Sequence, residues 1–271
     1  HLSIRRQRQM CIRDSSSDIL NLRAGGHIGI KLDANSRTSL SNNDSGTSNT
    51  IFGKLAGDDL ASGENYNVLI GEDAGHTNKL GDNNIAIGYD AFDLSYIDDT
   101  QDALTVDNIF IGKDAGGGDW ATAASHSNVG IGSYAMDAVM NGALYNTAVG
   151  YTSLTAITSG SYNTTLGSGA GSALTDGGYN VILGQNCGVG STSGTKMVII
   201  GRNAGRADIT DAAIGSILIG YDAGAALTSG VRNLAIGYQA ASSLTTGGDN
   251  ILIGYQAGVS ASNSGFSSNV G

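Results

Sequence analysis

The stretch NLAIGYQAASSLTTGGDNILIGYQAG (residues 233–258) contains one motif twice: an Asn, three apolar residues, and then Gly-Tyr-Gln-Ala. The second copy follows 17 residues after the first, so that Gly237 corresponds to Gly254. The same glycine, which we call the anchor, recurs twelve times at spacings of 17 to 24 residues. The anchors are Gly53, Gly71, Gly88, Gly112, Gly132, Gly150, Gly167, Gly184, Gly201, Gly220, Gly237 and Gly254. A repeat this regular indicates a chain of stacked structural units.

Positions within each repeat are numbered from its anchor. Position −1 is always large and apolar, position −3 is Val, Ile, Thr or Leu, position −4 is Asn in ten of twelve repeats, and position +3 is always small. Because side chains alternate along a strand, we predict that positions −3 and −1 fill the core of a coil and that position −2 points outward. Glycines at the anchor and at +10 are predicted to form the corners. A Leu or Ile at +7 is predicted to close the opposite wall, as at Leu60, Ile157, Leu174, Leu227 and Leu244.

These patterns predict an all-β fold, a parallel β-solenoid of about 12 coils with a 17-residue repeat and two short strands per coil. Identical coils place like residues on one another, so the Asn side chains at −4 are expected to hydrogen-bond along the stack, and Tyr238 and Tyr255 are expected to stack outside it. A helical solenoid is excluded because the recurring glycines would interrupt every helix, at about 1 kcal/mol each.

The repeat pattern divides the chain into three segments. Residues 1–15 carry Arg5, Arg6, Arg8 and Arg13 without a glycine, and we expect a non-native or disordered leader. Residues 16–48 are predicted to be a β lead-in, because apolar residues alternate on both sides of Gly25-Gly26. Residues 49–271 form the repeat domain, which we expect to be truncated in mid-repeat.

Composition excludes several classes of function. The formal net charge is −10, which argues against a nucleic-acid partner, since phosphate binding needs clustered Lys and Arg. No apolar run approaches the roughly 18 residues that a membrane span needs, so we expect no membrane insertion of these residues. The two cysteines suggest no disulfide framework, and we expect Cys187, which occupies one of the small +3 positions, to be a buried small hydrophobic residue.

Position −2 is unexpectedly apolar for a position predicted to face outward. A second copy of the chain is the simplest cover for such a file; a loop or the lead-in segment is the alternative. We therefore predict a homo-oligomer, with a trimer favoured. The candidate self-association file is Ile51, Leu69, Phe110, Ile182, Ile199, Leu218 and Leu252.

The units at 146–151 (NTAVGY) and 250–258 (NILIGYQAG) resemble repeats of tail-fibre and adhesin proteins of phages and bacteria. They are similar, more distantly, to the Val-Ala-Ile-Gly repeats in the heads of trimeric autotransporter adhesins, whose repeat is shorter than 17 residues. The resemblance covers residues 49–271. It implies a trimeric, fibrous protein on a virion or cell surface that displays surface to a host glycan or protein receptor.

No catalytic constellation, cofactor motif or metal-ligand spacing is visible, so we predict no catalytic, cofactor-binding or metal-binding residues, and no enzyme. The long insert between Gly88 and Gly112 is a candidate receptor contact through its acids, which are Asp93, Asp98, Asp99, Asp102 and Asp107. We predict a structural and adhesive fibre protein. One alternative is a glycan-degrading β-helix. Another is an ice-binding solenoid with a Thr file at +8, although such hydroxyls more commonly satisfy backbone groups at a corner.

Overall fold

A computed structural model describes residues 20–24, 27–32, 38–39, 48–58, 60, 63–76, 81–93, 105–118, 123–210 and 213–260. The predicted leader at 1–15 lies outside the described residues. The lead-in contributes β1 (Leu20–Ala24), β2 (His27–Leu32) and β3 (Thr38–Ser39), which form an antiparallel sheet in the order β1-β2-β3. The alternating apolar pattern around Gly25-Gly26 therefore does form a pair of strands.

Twelve strands of three residues each form one parallel sheet in chain order. They are β4 (Thr50–Phe52), β5 (Val68–Ile70), β6 (Ile85–Ile87), β7 (Ile109–Ile111), β8 (Val129–Ile131), β9 (Thr147–Val149), β10 (Thr164–Leu166), β11 (Val181–Leu183), β12 (Val198–Ile200), β13 (Ile217–Ile219), β14 (Leu234–Ile236) and β15 (Ile251–Ile253). Each strand occupies positions −3 to −1, and equivalent positions pair across every ladder. The predicted parallel β-solenoid is confirmed.

The second strand predicted for each coil is wrong. Between one strand and the next the described backbone consists mainly of turns, with an isolated parallel bridge between His126 and Leu144. The file at +7 nevertheless lies in the core as predicted, with Ile157, Leu174, Leu227 and Leu244 fully buried. Apolar side chains close that wall, and backbone hydrogen bonds between turns, such as the one from the Thr158 N–H to the Thr175 carbonyl, join its coils without a second strand.

The predicted direction of the side chains on the strands is also wrong. Position −2 is buried in eleven of the twelve strands, and positions −3 and −1 are half-buried or exposed. The proposed self-association file is consequently an interior file: Leu69, Phe110, Ile182, Ile199, Leu218 and Leu252 are buried, and Ile51 packs against the core. The physical reason is the Asn at −4, which is buried; by alternation position −2 shares its side of the strand.

Side-chain volume at −2 is matched to the residue at +4 in the same coil. Where −2 is large, +4 is Gly: a Cβ on Gly116 would lie 2.4 Å from the Phe110 ring, and one on Gly224 would lie 2.6 Å from the Leu218 side chain. Where −2 is Ala or Gly, +4 is large in three coils of four, in the buried pairs Ala86 with Phe92, Gly130 with Met136, and Ala148 with Leu154; the coil of β14 has Ala at both positions. Each coil therefore has room for one large side chain at this level, and either position can supply it.

The Asn side chains at −4 form the predicted ladder inside the stack. The Asn163 Oδ1 accepts hydrogen bonds from the Asn180 backbone N–H at 3.2 Å and from the Asn180 Nδ2 at 2.9 Å. The Asn163 Nδ2 donates to Asn146 Oδ1 at 3.0 Å and to the Gly177 carbonyl at 2.9 Å. Buried amides are thus satisfied by their equivalents in adjoining coils, and this fixes the register of the stack.

The anchor glycines permit close stacking of the corners. Their φ angles lie between +128° and +154°. At the first eleven anchors, a Cβ would lie 2.0 to 2.8 Å from a backbone atom of the next anchor. Both observations exclude a side chain here, the first by backbone strain and the second by collision.

Candidate functional site

The outward side of the twelve-stranded sheet is a continuous apolar surface. We call the residues at −3 and −1 of strands β4 to β15 the outward strip. All are Val, Ile, Leu or Phe except Thr50, Thr147 and Thr164, and none is charged. Its most exposed apolar side chains are Phe52, Leu166 and Ile253, at 66%, 53% and 54%. Soluble proteins seldom leave a flat apolar sheet surface of this kind uncovered.

Two files border the outward strip along its whole length. The leading margin is position −5, and the trailing margin is position +1. The leading margin consists of Ser48, Tyr66, Asn83, Asp107, Ser127, Tyr145, Tyr162, Tyr179, Lys196, Gly215, Arg232 and Asp249. The trailing margin consists of Lys54, Glu72, Tyr89, Lys113, Ser133, Tyr151, Ser168, Gln185, Arg202, Tyr221, Tyr238 and Tyr255. Charge and aromatic side chains are therefore concentrated at the edges of the strip.

Tyrosines on the margins stack on one another from coil to coil. On the leading margin, the rings of Tyr145 and Tyr162 stack at 5.1 Å and those of Tyr162 and Tyr179 at 4.9 Å. The trailing margin has a second stack, with Tyr221, Tyr238 and Tyr255 at 5.2 and 5.4 Å, which confirms the predicted outside stacking of Tyr238 and Tyr255. Since inner rings of a stack cover each other's faces, the stacks present ring edges and hydroxyls.

Charged residues on the margins pair mainly with their neighbours. Arg232 makes a bidentate ion pair with Asp249 in the next coil, at 2.6 and 2.8 Å, and Lys54 pairs with Glu72. Lys113 lies 4.7 Å from the Tyr134 ring centroid and bonds to Asp114. These exposed pairs add little stability but hold each charged side chain at a defined height along the stack.

A group of carboxylates, which we call the carboxylate corner, lies beside the trailing margin. Asp73, Asp90 and Asp114 occupy position +2 of successive coils. Burial raises the pKa of Asp90; the Tyr89 hydroxyl opposes this, and the charges of Asp114 and Asp73 reinforce it. Burial also raises the pKa of Asp137 to about 6, with Asp114 raising it further and Lys113 opposing. The alternation of side chains along the strands does not predict the carboxylate corner, because each of these acids lies in a turn, and each turn belongs to a different coil.

The carboxylate corner predicts a pH-dependent stability. An acid whose pKa is higher in the folded state binds its proton more tightly there, so folding stability falls as pH rises from about 4 to about 6 and stays lower above that. We expect Asp137→Asn to raise the thermal midpoint at pH 7.5 and to have little effect at pH 3.5. Thermal melts monitored by circular dichroism test this, with the exposed Asp176→Asn as the control. An equal shift at both pH values would contradict the assignment.

The predicted receptor-contact acids fall only partly within the described residues. Asp93 is half-buried and Asp107 is exposed on the leading margin, whereas Asp98, Asp99 and Asp102 lie outside the described residues. Among the residues that the structure describes, no group of three or more His, Cys, Asp or Glu side chains could hold a metal ion. The structure therefore does not bring the five acids together into a described site.

The Thr file at +8 serves the backbone of the stack. The Thr158 hydroxyl donates to the Thr175 carbonyl at 3.0 Å, Thr175 to Thr192 at 3.0 Å, and Thr228 to Thr245 at 3.1 Å. This confirms the interpretation of these hydroxyls as groups that satisfy the backbone at a corner. Cys187 is buried as predicted, and burial raises the pKa of its thiol to about 12, so it is an unreactive core side chain.

Comparisons with protein-family models, with curated proteins and with solved structures returned no match. Within the part of the chain that the structure describes, no helix is long and apolar enough to cross a membrane. The outward strip and its margins are therefore the features from which a function can be inferred.

Proposed function

We propose that this chain is a rigid, non-enzymatic structural element of a fibre, assembled from copies of itself through the outward strip. Its corners and its long insert remain on the outside of the fibre, where they contact a receptor. The resemblance to tail-fibre and adhesin repeats favours a virion or a cell surface as the setting. The observation that carries the proposal is the outward strip: a flat, uncharged surface that runs the length of the stack.

The size of the strip fits self-association. Twelve strands about 4.8 Å apart, with two outward side chains each, give a surface roughly 50 Å by 12 Å, or about 600 Å². That is at the upper end of the apolar patches that monomers expose, about 300–600 Å². With its margins the strip approaches the ~800 Å² per partner of a standard interface. Three copies around a common axis would each bury the whole strip, which is the arrangement we favour.

The internal ladders support a mechanical role. Parallel backbone pairing joins every coil to the next, and the buried Asn ladder adds side-chain bonds along the same direction. Each coil contacts mainly its neighbours, so length and stiffness grow by adding repeats. A stack of this type holds surface groups at fixed spacing, which suits display rather than conformational change.

A charge placed on the outward strip tests this function. Leu166 is 53% exposed, so Leu166→Asp removes little from the core of the single chain. In the assembly it would place a carboxylate from every copy in an apolar interface, which costs several kcal/mol. We expect the full chain to fall from its oligomeric mass to 27.4 kDa, measured by light scattering during gel filtration.

The matched control is Ser159→Asp, which adds the same charge at an exposed position away from the strip. We expect this variant to keep the wild-type mass and the wild-type circular dichroism spectrum. If both variants keep the wild-type mass, the outward strip is not the assembly surface. Equal dissociation of both would show a general charge effect and would also contradict the proposal.

Glycan cleavage, the alternative function, is favoured by one observation, the raised pKa of Asp137 beside Asp114. A hydrolase needs a protonated acid and an ionised carboxylate on either side of the scissile bond. Release of reducing ends from bacterial surface glycans, abolished by Asp137→Asn, would establish this activity. If no reducing ends are released from any of the bacterial surface glycans tested, the carboxylate corner has no hydrolytic role.

A further inference from the structure

The trailing margin carries a stack of three tyrosine rings, one from each of three successive coils. The rings of Tyr221 and Tyr238 are 8° from parallel with their centroids 5.2 Å apart, and those of Tyr238 and Tyr255 are 8° from parallel at 5.4 Å. The three residues occupy the same position of their coils. Equivalent ring atoms therefore lie side by side along the stack, including the two carbons that flank each hydroxyl group.

The rings of this stack are accessible from solvent. Tyr221, Tyr238 and Tyr255 are 36%, 45% and 73% exposed, so a reagent can reach every member. Their side chains also have room to tilt, because the margin lies outside the packed interior of the coil. Accessible phenol rings in fixed mutual contact are an arrangement in which a reaction between two rings needs no diffusional encounter.

The leading margin repeats this arrangement independently. Tyr162 lies between Tyr145 and Tyr179, with interplanar angles of 16° and 12° to its neighbours. The pair Tyr134 and Tyr151 is different, since its rings meet edge to face at 87° with centroids 5.9 Å apart. The chain thus has two stacks of near-parallel tyrosines and one tyrosine pair of another geometry.

We propose that the stacked tyrosines are sites of oxidative coupling, in which dityrosine joins neighbouring coils of one chain. The oxidant is hydrogen peroxide acting through a haem peroxidase, which removes one electron from each phenol. Rings already in contact couple faster than isolated tyrosines, which must first meet another ring by diffusion. The proposal does not depend on self-association, because both rings of each pair belong to the same chain.

The coupling step balances with two phenols and one molecule of hydrogen peroxide. Each tyrosine loses one electron and its hydroxyl proton and becomes a phenoxyl radical, whose unpaired electron is shared with the carbons beside the oxygen. Two such carbons form one C–C bond, and the protons on these carbons then move to the oxygens and restore both hydroxyl groups. The two electrons and two protons released convert hydrogen peroxide into two molecules of water.

A link of this kind would fasten adjoining coils to each other. Tyr221 and Tyr238 are 17 residues apart, so the bond closes a short loop and restricts the unfolded chain as a disulfide does. We expect the oxidised chain to unfold at a higher denaturant concentration than the oxidised Tyr238→Phe variant. Equal midpoints would show that the coupling does not fasten the coils.

A tryptic digest detects the link directly, because Arg232 lies between the two coupled residues. Cleavage gives a peptide of residues 207–232, whose single tyrosine is Tyr221, and a peptide of residues 233–271 that contains Tyr238. The full chain is treated in its native state with hydrogen peroxide and a haem peroxidase. The single-chain band, 27.4 kDa, is then cut from a denaturing gel and digested.

We expect mass spectrometry of this digest to show the two peptides joined, at their summed mass less two hydrogen atoms. Fragmentation should place the bond between Tyr221 and Tyr238. In Tyr238→Phe the ring remains but cannot form a phenoxyl radical, and Tyr221 and Tyr255 lie two coils apart, about 10 Å along the stack. The joined pair should therefore disappear in this variant.

Tyr66→Phe is the matched control. Tyr66 is 60% exposed, but the residues at its position in the adjoining coils are Ser48 and Asn83. Removing its hydroxyl group should leave the yield of the joined peptides at the wild-type level. A single-chain band without joined peptides would overturn the proposal, and so would an equal yield from Tyr238→Phe. Joined peptides found only in bands of higher mass would mean coupling between copies, which also contradicts it.

Discussion

Gly220→Ala is expected to lower the free energy of unfolding by more than about 4 kcal/mol, one of the largest effects of any single methyl group in this chain. The added Cβ would lie 2.2 Å from the Gly237 carbonyl oxygen and 2.7 Å from its carbon, and φ at this position is +136°. The alanine thus meets backbone strain and a collision with backbone that cannot rotate away. The coils of β13 and β14 would have to separate, which breaks the ladder between them.

Gly254 provides a matched control for this substitution. It follows the same sequence, Ile-Leu-Ile, and has nearly the same φ, +132°, but no described heavy atom lies within 4 Å of the Cβ position. Gly254→Ala therefore carries the backbone strain alone, about 1–3 kcal/mol. Denaturant unfolding with hydrogen exchange across residues 213–237 measures the difference. Equal losses for the two variants would show that close stacking of the anchors is not what selects glycine.

Exchanging the large residue between −2 and +4 is expected to restore stability that each single change removes. Leu218→Ala empties the core of one coil and should cost about 2–5 kcal/mol. Gly224→Leu overfills the same coil and should cost about 1–3 kcal/mol or more, because a Cβ there already lies 2.6 Å from Leu218. The double variant recreates the pairing of Ala148 with Leu154 and should come within about 1 kcal/mol of wild type.

The positive φ of +59° at Gly224 does not prevent this exchange, since Leu154 has φ +55° at the equivalent position. The measurement is the free energy of unfolding of the wild type, both single variants and the double variant. A double variant at least as unstable as the sum of the singles would mean that −2 and +4 do not share one space, and the inward assignment of −2 would fail.

The repeat, the parallel stack, the Asn ladder and the small residues at +3 were predictable from sequence, because each is one residue type at a fixed offset. The side of the sheet to which the side chains at −3, −2 and −1 point was not predictable. Alternation shows that −2 faces opposite to −3 and −1, but it cannot say which side is the core when all three positions are apolar. The sequence did contain the deciding signal: Gly116 accompanies Phe110, and Phe92 accompanies Ala86. Reciprocal volumes of this kind are expected between residues that share an interior.

In the candidate site, too, some features were predictable from the sequence and others were not. The tyrosines at 238 and 255 were predicted to stack because they repeat at one offset. The carboxylate corner was missed, because Asp137 joins Asp114 through the fold of two different coils and not through any spacing. Correcting the side of the strand also moved the predicted self-association surface, from the file at −2 to the files at −3 and −1.

The oligomeric mass of the wild-type 271-residue chain tests the central claim most directly, since an outward strip that no partner covers is incompatible with the proposed role. Sedimentation equilibrium over a wide range of concentration gives this mass without a shape assumption. We expect about three times 27.4 kDa, with no dissociation at the lowest concentration. A mass of 27.4 kDa at every concentration would contradict self-association through the outward strip.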